Sequence, residues 1–219
     1  MMNMTSDIKH HLNEELLMAY AAGSLPEAFN LMVATHVSLC DECRARVESY
    51  DALGGAVIEA DADRVEMGAD ALAQTMRLIS GDAPSEIRLA RKPGILPQPL
   101  QEYVGGDLEQ VRWRSVGMGV KQAVLETEKS ASARLLFIPA GTEMPGHGHH
   151  GIEMTIVLQG AFRDEHDYFA RGDVEIADAD VQHSPIADIH TDCICLAVTD
   201  APLKFQGIIP RIAQRFIGI

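Results

Sequence analysis

Aromatic rings and positive charge are both scarce in this chain. Aromatic residues make up 5% of it, with a single tryptophan, so stacking on nucleic-acid bases is not expected to be central to its function. Lysine and arginine number 18 against 32 aspartates and glutamates, a formal net charge of −14. A surface this acidic repels phosphate backbones, which argues against direct DNA or RNA binding and suits a basic partner. No apolar run approaches the ~18 residues of a membrane-spanning helix. The opening "MMNMTSDIKHH" lacks the basic-then-apolar layout of a secretory signal. A cytoplasmic protein is therefore expected. Cysteine is rare too, with four in 219 residues. In a reducing compartment, closely spaced cysteines bind metal or carry redox chemistry more often than they form structural disulfides.

The chain changes texture along its length. Residues 12 to about 80 read as helical. "LNEELLMAYAAGSL" sets Leu12, Leu16, Leu17 and Tyr20 on one side, with Gly23 as a stop. "SLPE" follows, with Ser24 and Glu27 at capping-box spacing and Pro26 in the first turn. Phe29, Met32, Val33, His36 and Leu39 then share one helical face. Asp41 and Glu42 suit the start of a third helix through Tyr50 or beyond, and "EMGADALAQTMRLIS", 66–80, reads as a fourth. Residues 81–99 hold four of the ten prolines and read as a linker. From residue 100 onward come short segments between Gly, Pro and Asp turns: "VRWRSV", "KQAVLET", "ARLLFIP", "EMTIVLQG", "DVEIAD", "DCICLAVT" and "LKFQGII". These predict an antiparallel barrel or sandwich. The expected organisation is an all-α domain over 1–80, a linker over 81–99 and an all-β domain over 100–219.

The cysteines of the helical half sit in "THVSLCDEC", which spaces His36-x3-Cys40-x2-Cys43. Positions four apart lie one turn above each other on a helix, so His36 and Cys40 can reach one ion. Cys-x2-Cys is a common zinc-chelating spacing. A structural zinc takes four ligands, and His10 and His11 are both candidates for the fourth. Two thiolates and two neutral imidazoles leave a Zn2+ site without net charge, which limits the cost of burial. Two plainer readings compete. His36 lies on an apolar stripe and suits a core histidine, and the cysteines suit a redox pair at a helix N-terminus, where a thiol pKa falls.

"AYAAGSL", "EAFNLMVATH" and "ATHVSLCDECRAR" together resemble the zinc-binding anti-sigma domain of ChrR-type anti-sigma factors, over residues 10 to about 60. The resemblance implies zinc ligands at His11, His36, Cys40 and Cys43, and prefers His11 over His10. It further implies that the helical domain binds an extracytoplasmic-function sigma factor and occludes the surfaces needed for RNA polymerase. An acidic module agrees with that, since residues 1–80 carry thirteen acidic and five basic side chains.

A second cluster lies in "GTEMPGHGHHGIEMTIVLQG", 141–160. His147, His149 and Glu153 share parity, so on extended backbone all three can face one side. His183, in "DADVQHSP", can join from a neighbouring strand. Three imidazoles and a carboxylate suit Zn2+, Fe2+, Mn2+ or Ni2+. The spacing is similar to the first motif of the cupin superfamily. The second cupin motif is matched only at Gly172 and His183, without the usual proline and glycine between them. ChrR-type proteins carry a cupin-like C-terminal domain with zinc, so the resemblance extends over nearly the whole chain. It implies metal ligands at His147, His149, Glu153 and His183. His150 is off-parity, and His166 and His190 read as surface residues.

Cys193 and Cys195 lie two apart in a predicted strand and face the same side; core packing and a redox role are both open to them. Three functions are then in view. The leading one is a zinc anti-sigma factor that releases its sigma factor when the cupin-like domain meets an oxidant of the singlet-oxygen type. The second is a metal-dependent cupin enzyme of dioxygenase or isomerase type with a fused zinc domain. The third is a zinc-storing or structural module, against which the two unlike ligand sets speak.

Overall fold

The computed structural model describes residues 8–60, 67–80, 94–148, 150–178 and 181–201, and the backbone of 204–205. Helix α1 (Glu14–Ala21) starts where the Asn13 side chain accepts from the Leu16 amide at 2.9 Å, and the chain turns away at Gly23, φ +64°. Helix α2 (Glu27–Val37) follows. The capping box expected of Ser24 and Glu27 does not form. The helix begins two residues later than that box requires, with Pro26 at the N-cap, and Ser24 donates to the Ala19 carbonyl instead. Helix α3 (Asp41–Ala60) opens on two acids, which favour the positive end of the helix dipole. Helix α4 (Ala71–Ser80) is shorter than its predicted span. A fifth helix, α5 (Gln98–Val104), was not expected; it opens at the end of the proline-rich segment and packs on α2, where Tyr103 donates to Glu27 at 2.7 Å.

The strands that follow are β1 (Arg114–Gly117), β2 (Val120–Leu125), β3 (Ser132–Ile138), β4 (His147–Gly148), β5 (Glu153–Gln159), β6 (Ala161–Arg163), β7 (Tyr168–Ala170), β8 (Val174–Ala177), β9 (Gln182–His183), β10 (Ile186–Ala187), β11 (Cys193–Thr199) and β12 (Lys204–Phe205). A six-stranded antiparallel sheet runs β1-β2-β3-β11-β5-β8, and two three-stranded sheets, β10-β6-β7 and β12-β4-β9, complete the fold. The short strands β4, β6, β7, β9 and β10 escaped the sequence reading because two or three residues carry too little alternation. Of "LKFQGII", only Lys204 and Phe205 lie within the described residues.

Both faces of the large sheet are buried, which is why its inner strands read as apolar runs. Leu135, Met154, Ile156, Leu196 and Val198 point to one face and join one core with Leu17, Leu31, Met32 and Leu100 of the helices. Leu136, Val157, Cys193 and Cys195 point to the other, against Phe162 and Phe169 of the small sheet. Helix α2 is thus enclosed between α1, α3 and α5 on one side and the sheet on the other. That explains why Ala28, Phe29, Leu31, Met32, Val33, Thr35 and His36 are all buried, far more than one stripe.

Candidate metal centres

The joint between α2 and α3 brings His36, Cys40 and Cys43 together, and the segment before α1 adds His11; their donor atoms all lie within 4.8 Å of one another. The His11 Nδ1 is 3.3 Å from Cys40 Sγ and 3.6 Å from Cys43 Sγ. Bond lengths of about 2.0 Å to nitrogen and 2.3 Å to sulfur on a tetrahedral ion set N···S at about 3.6 Å, so the spacing fits one ion.

The second nitrogens of both rings are engaged outside the cluster, as metal-binding imidazoles require. His11 Nε2 lies 3.5 Å from Glu42 Oε2. His36 Nδ1 donates to the Gly172 carbonyl at 2.9 Å, leaving its Nε2 buried without a hydrogen-bond partner. A buried, unpaired nitrogen aimed at two thiols is costly unless a cation fills the gap. Burial holds the His36 pKa down to about 4, against the upward pull of the Gly172 bond, so the ring is a neutral donor at pH 7. Burial pushes the Cys43 thiol up to about 11. This is the reverse of the lowered thiol of a reactive redox pair. His10 turns the other way: its ring packs on Phe169 at 4.5 Å and its Nε2 lies 3.0 Å from Asp167 Oδ2.

The second centre lies inside the β domain. His147 on β4 and His183 on β9 are register partners, with their Nε2 atoms 3.2 Å apart. Each ring's Nδ1 donates elsewhere, His147 to the Pro145 carbonyl at 2.9 Å and His183 to Glu175 at 2.7 Å. Two nitrogens on one tetrahedral ion stand about 3.3 Å apart, so this pair also fits two ligands of one ion. Glu153 on β5 is buried and lines the same cavity of ≈ 90 Å3, together with Arg134, Gln122, Thr155, Glu175 and Cys195. His149 lies outside the described residues.

The structure adds two acids that the motif did not contain. Asp164, Glu175 and His183 form a second group within 4.8 Å. Burial raises the Glu175 pKa, and the neighbouring Asp164 adds to that. Burial alone would lower His183, but the carboxylates of Glu175, Glu153 and Asp164 together outweigh it and raise the ring. Glu175 had a visible signal, since it shares strand parity with the interior-facing side of β8. Asp164 sits in a turn and had none. His150, His166 and His190 are exposed, as expected.

Cys193 and Cys195 are free thiols, both buried. The Cys195 thiol is raised well above its ordinary value, by its contact with Cys193 first and by burial second. Both pack as core residues, and Cys195 also lines the cavity that holds His147, Glu153 and His183.

Comparisons with known proteins agree with this layout. Residues 101–202 match the model of the ChrR cupin-like domain family. The chain is 51% identical over 212 residues to the anti-sigma-E factor ChrR of Cereibacter sphaeroides, covering 97% of this chain and 99% of that one. The crystal structure of Rhodobacter sphaeroides SigE in complex with the anti-sigma ChrR superposes with a TM-score of 0.77 at 52% identity. That match covers 88% of this chain and 99% of that one.

Proposed function

Since this chain belongs to the ChrR family of anti-sigma factors, we propose that it sequesters an extracytoplasmic-function sigma factor through its N-terminal helices. On this reading it frees the sigma factor when an oxidant damages the cupin-like domain. It is a regulatory protein rather than an enzyme. The observation that carries this is the match over 97% of the chain at 51% identity, which includes both halves in the same order.

The helices offer a surface for such a partner. Every residue of α3 from Asp51 to Ala60 is exposed, including Leu53, Val57 and Ile58. Helix α4 exposes Leu72, Met76 and Ile79 along one stripe. Apolar patches of this kind mark interaction sites.

His11, His36, Cys40 and Cys43 would hold Zn2+, the ion that prefers two thiolates and two imidazoles in a closed tetrahedron. It would tie α1, α2 and α3 into one body. His147, His149, Glu153 and His183 would hold Zn2+ or another divalent transition metal in the cupin-like domain. Imidazoles at that centre, and Cys193 with Cys195 behind it, are the groups an oxidant of the singlet-oxygen type would attack. The β domain, from about residue 100, would thus be the sensor and residues 1–80 the inhibitor, joined by 81–99. No described helix is long and apolar enough to cross a membrane, which suits action in the cytoplasm.

The test is run-off transcription with a cognate sigma factor and RNA polymerase. Adding the full chain should suppress the transcript, and a singlet-oxygen generator should restore it. His147→Ala with Glu153→Gln should abolish that restoration. Failure of the chain to inhibit any extracytoplasmic-function sigma factor encoded nearby would overturn the proposal.

A further inference from the structure

The N-terminal metal cluster is not built by the helices alone. His36 rests on the Gly172 carbonyl, which belongs to the turn between β7 and β8. The side chain of the next residue, Asp173, is only 4% exposed and accepts through Oδ1 from the Lys9 and His10 amides at 2.7 and 2.9 Å. Its Oδ2 accepts from the Ala170 amide at 2.8 Å. The Val174 amide then donates to the His10 carbonyl at 3.2 Å. So the backbone that delivers His11 and the ring of His36 are both held by residues 172–174. Glu175, one residue on, faces the interior and accepts from His183 Nδ1 at 2.7 Å.

Gly172 has φ +94°, which L side chains rarely adopt, and a Cβ there would stand 2.6 Å from Ile8 Cδ1. Val174 is buried in the core shared with the helices. Within four residues, therefore, Gly172 bonds to His36 of the first cluster, Asp173 and Val174 bond to the backbone just before His11, and Glu175 bonds to His183 of the second.

We propose that Gly172–Glu175 is a positioning element for the N-terminal zinc ligands, through which the state of the cupin-like centre alters how tightly the N-terminal centre holds its metal. This rests on the four-ligand reading of His11, His36, Cys40 and Cys43. Glu175 loses its bond to the His183 ring when His183 is displaced or damaged. The change passes along one residue of β8 to Asp173 and Gly172, and so to the His11 backbone and the His36 ring. Coupling between two sites is reciprocal, and its usual size is about 5- to 150-fold in affinity.

The experiment loads the full chain with Co2+ and follows the thiolate-to-cobalt absorption at the strength of two thiolates, the number that Cys40 and Cys43 supply to the N-terminal centre. The rate at which a chelator removes that ion is then measured. Asp173→Ala should speed removal about 5-fold or more, and Asp173→Asn, which keeps an oxygen for the two amides, should recover most of the loss. Glu175→Ala should also speed removal, although Glu175 contacts only the other centre. The double variant should be no faster than Asp173→Ala alone. Rates unchanged by Glu175→Ala, or effects that multiply in the double variant, would overturn the coupling. Unmodified protein provides a check free of folding defects: a second equivalent of Co2+ should slow loss of the thiolate-bound ion, and an unchanged rate would also overturn it. Absence of the thiolate band from the unmodified protein would instead overturn the four-ligand reading, and the proposal with it.

Discussion

Protonation separates the two kinds of donor in the N-terminal centre. His36, held down to about pKa 4 by burial, is already a neutral ligand at pH 7. Cys43, pushed up to about 11 by burial, carries a proton that must leave before its sulfur can bind an ion. Zinc uptake at pH 7 should therefore release at least one proton per site. Calorimetric titration in buffers of different ionisation enthalpy would count it, and an enthalpy independent of buffer would contradict thiolate ligation. His36 also sets an acid limit on the metal-free fold. Its folded pKa lies below the ordinary 6.5, so the unfolded chain binds the proton first. That stability is fully present above about pH 6.5 and is lost as pH falls toward 4, on the order of 3 kcal/mol in all.

Helices α3 and α4 both carry exposed apolar side chains. Past Tyr50, α3 has no buried residue and includes Gly54 and Gly55, each costing about 1 kcal/mol relative to alanine in a helix. Leu72 and Ile79 of α4 are 72% and 71% exposed, so neither supports the fold of the free protein. Replacing Leu72 and Ile79 with glutamate should weaken sigma-factor binding at least about tenfold, as loss of a central apolar anchor does, and leave Tm unchanged. Surface plasmon resonance with thermal melts would test it, and unchanged affinity would move the docking surface elsewhere. The sheet behaves in the opposite way. Leu196 on β11 is fully buried between β3 and β5, and side chains like it contribute about 1.5–3 kcal/mol each.

Across the whole molecule, one core joins what composition divides. Leu17 and Met32 of the helices share a cluster with Leu135, Ile156 and Leu196 of the sheet, and Glu27 of α2 also accepts from the Glu128 amide of the β2–β3 loop at 2.7 Å. Helices and sheet should therefore melt together. Scanning calorimetry of the metal-loaded chain should give a single transition with equal calorimetric and van't Hoff enthalpies. Two resolved transitions would show that the shared core contributes little. This continuity also gives the proposed sensor a route to the helices that does not depend on the segment between them.

Much of this was legible in the chain itself because it is local. Helical spacing carries His36, Cys40 and Cys43 to one place, and strand parity carries His147 and Glu153 to one interior. Apolar runs marked the inner long strands because one side of each packs toward the helices and the other toward the small sheet and the cavity, so both sides are buried. What the chain could not declare depends on distant partners. His11 reaches the cysteines while His10 does not because Phe169 and Asp167 take the His10 ring, about 160 residues away in sequence. Asp164 joins His183 only through a turn without periodicity. The Gly172 carbonyl meets His36 because the sheet packs on α2. Backbone periodicity is a property of neighbours along the chain, whereas the outer partners of a metal ligand are chosen by packing.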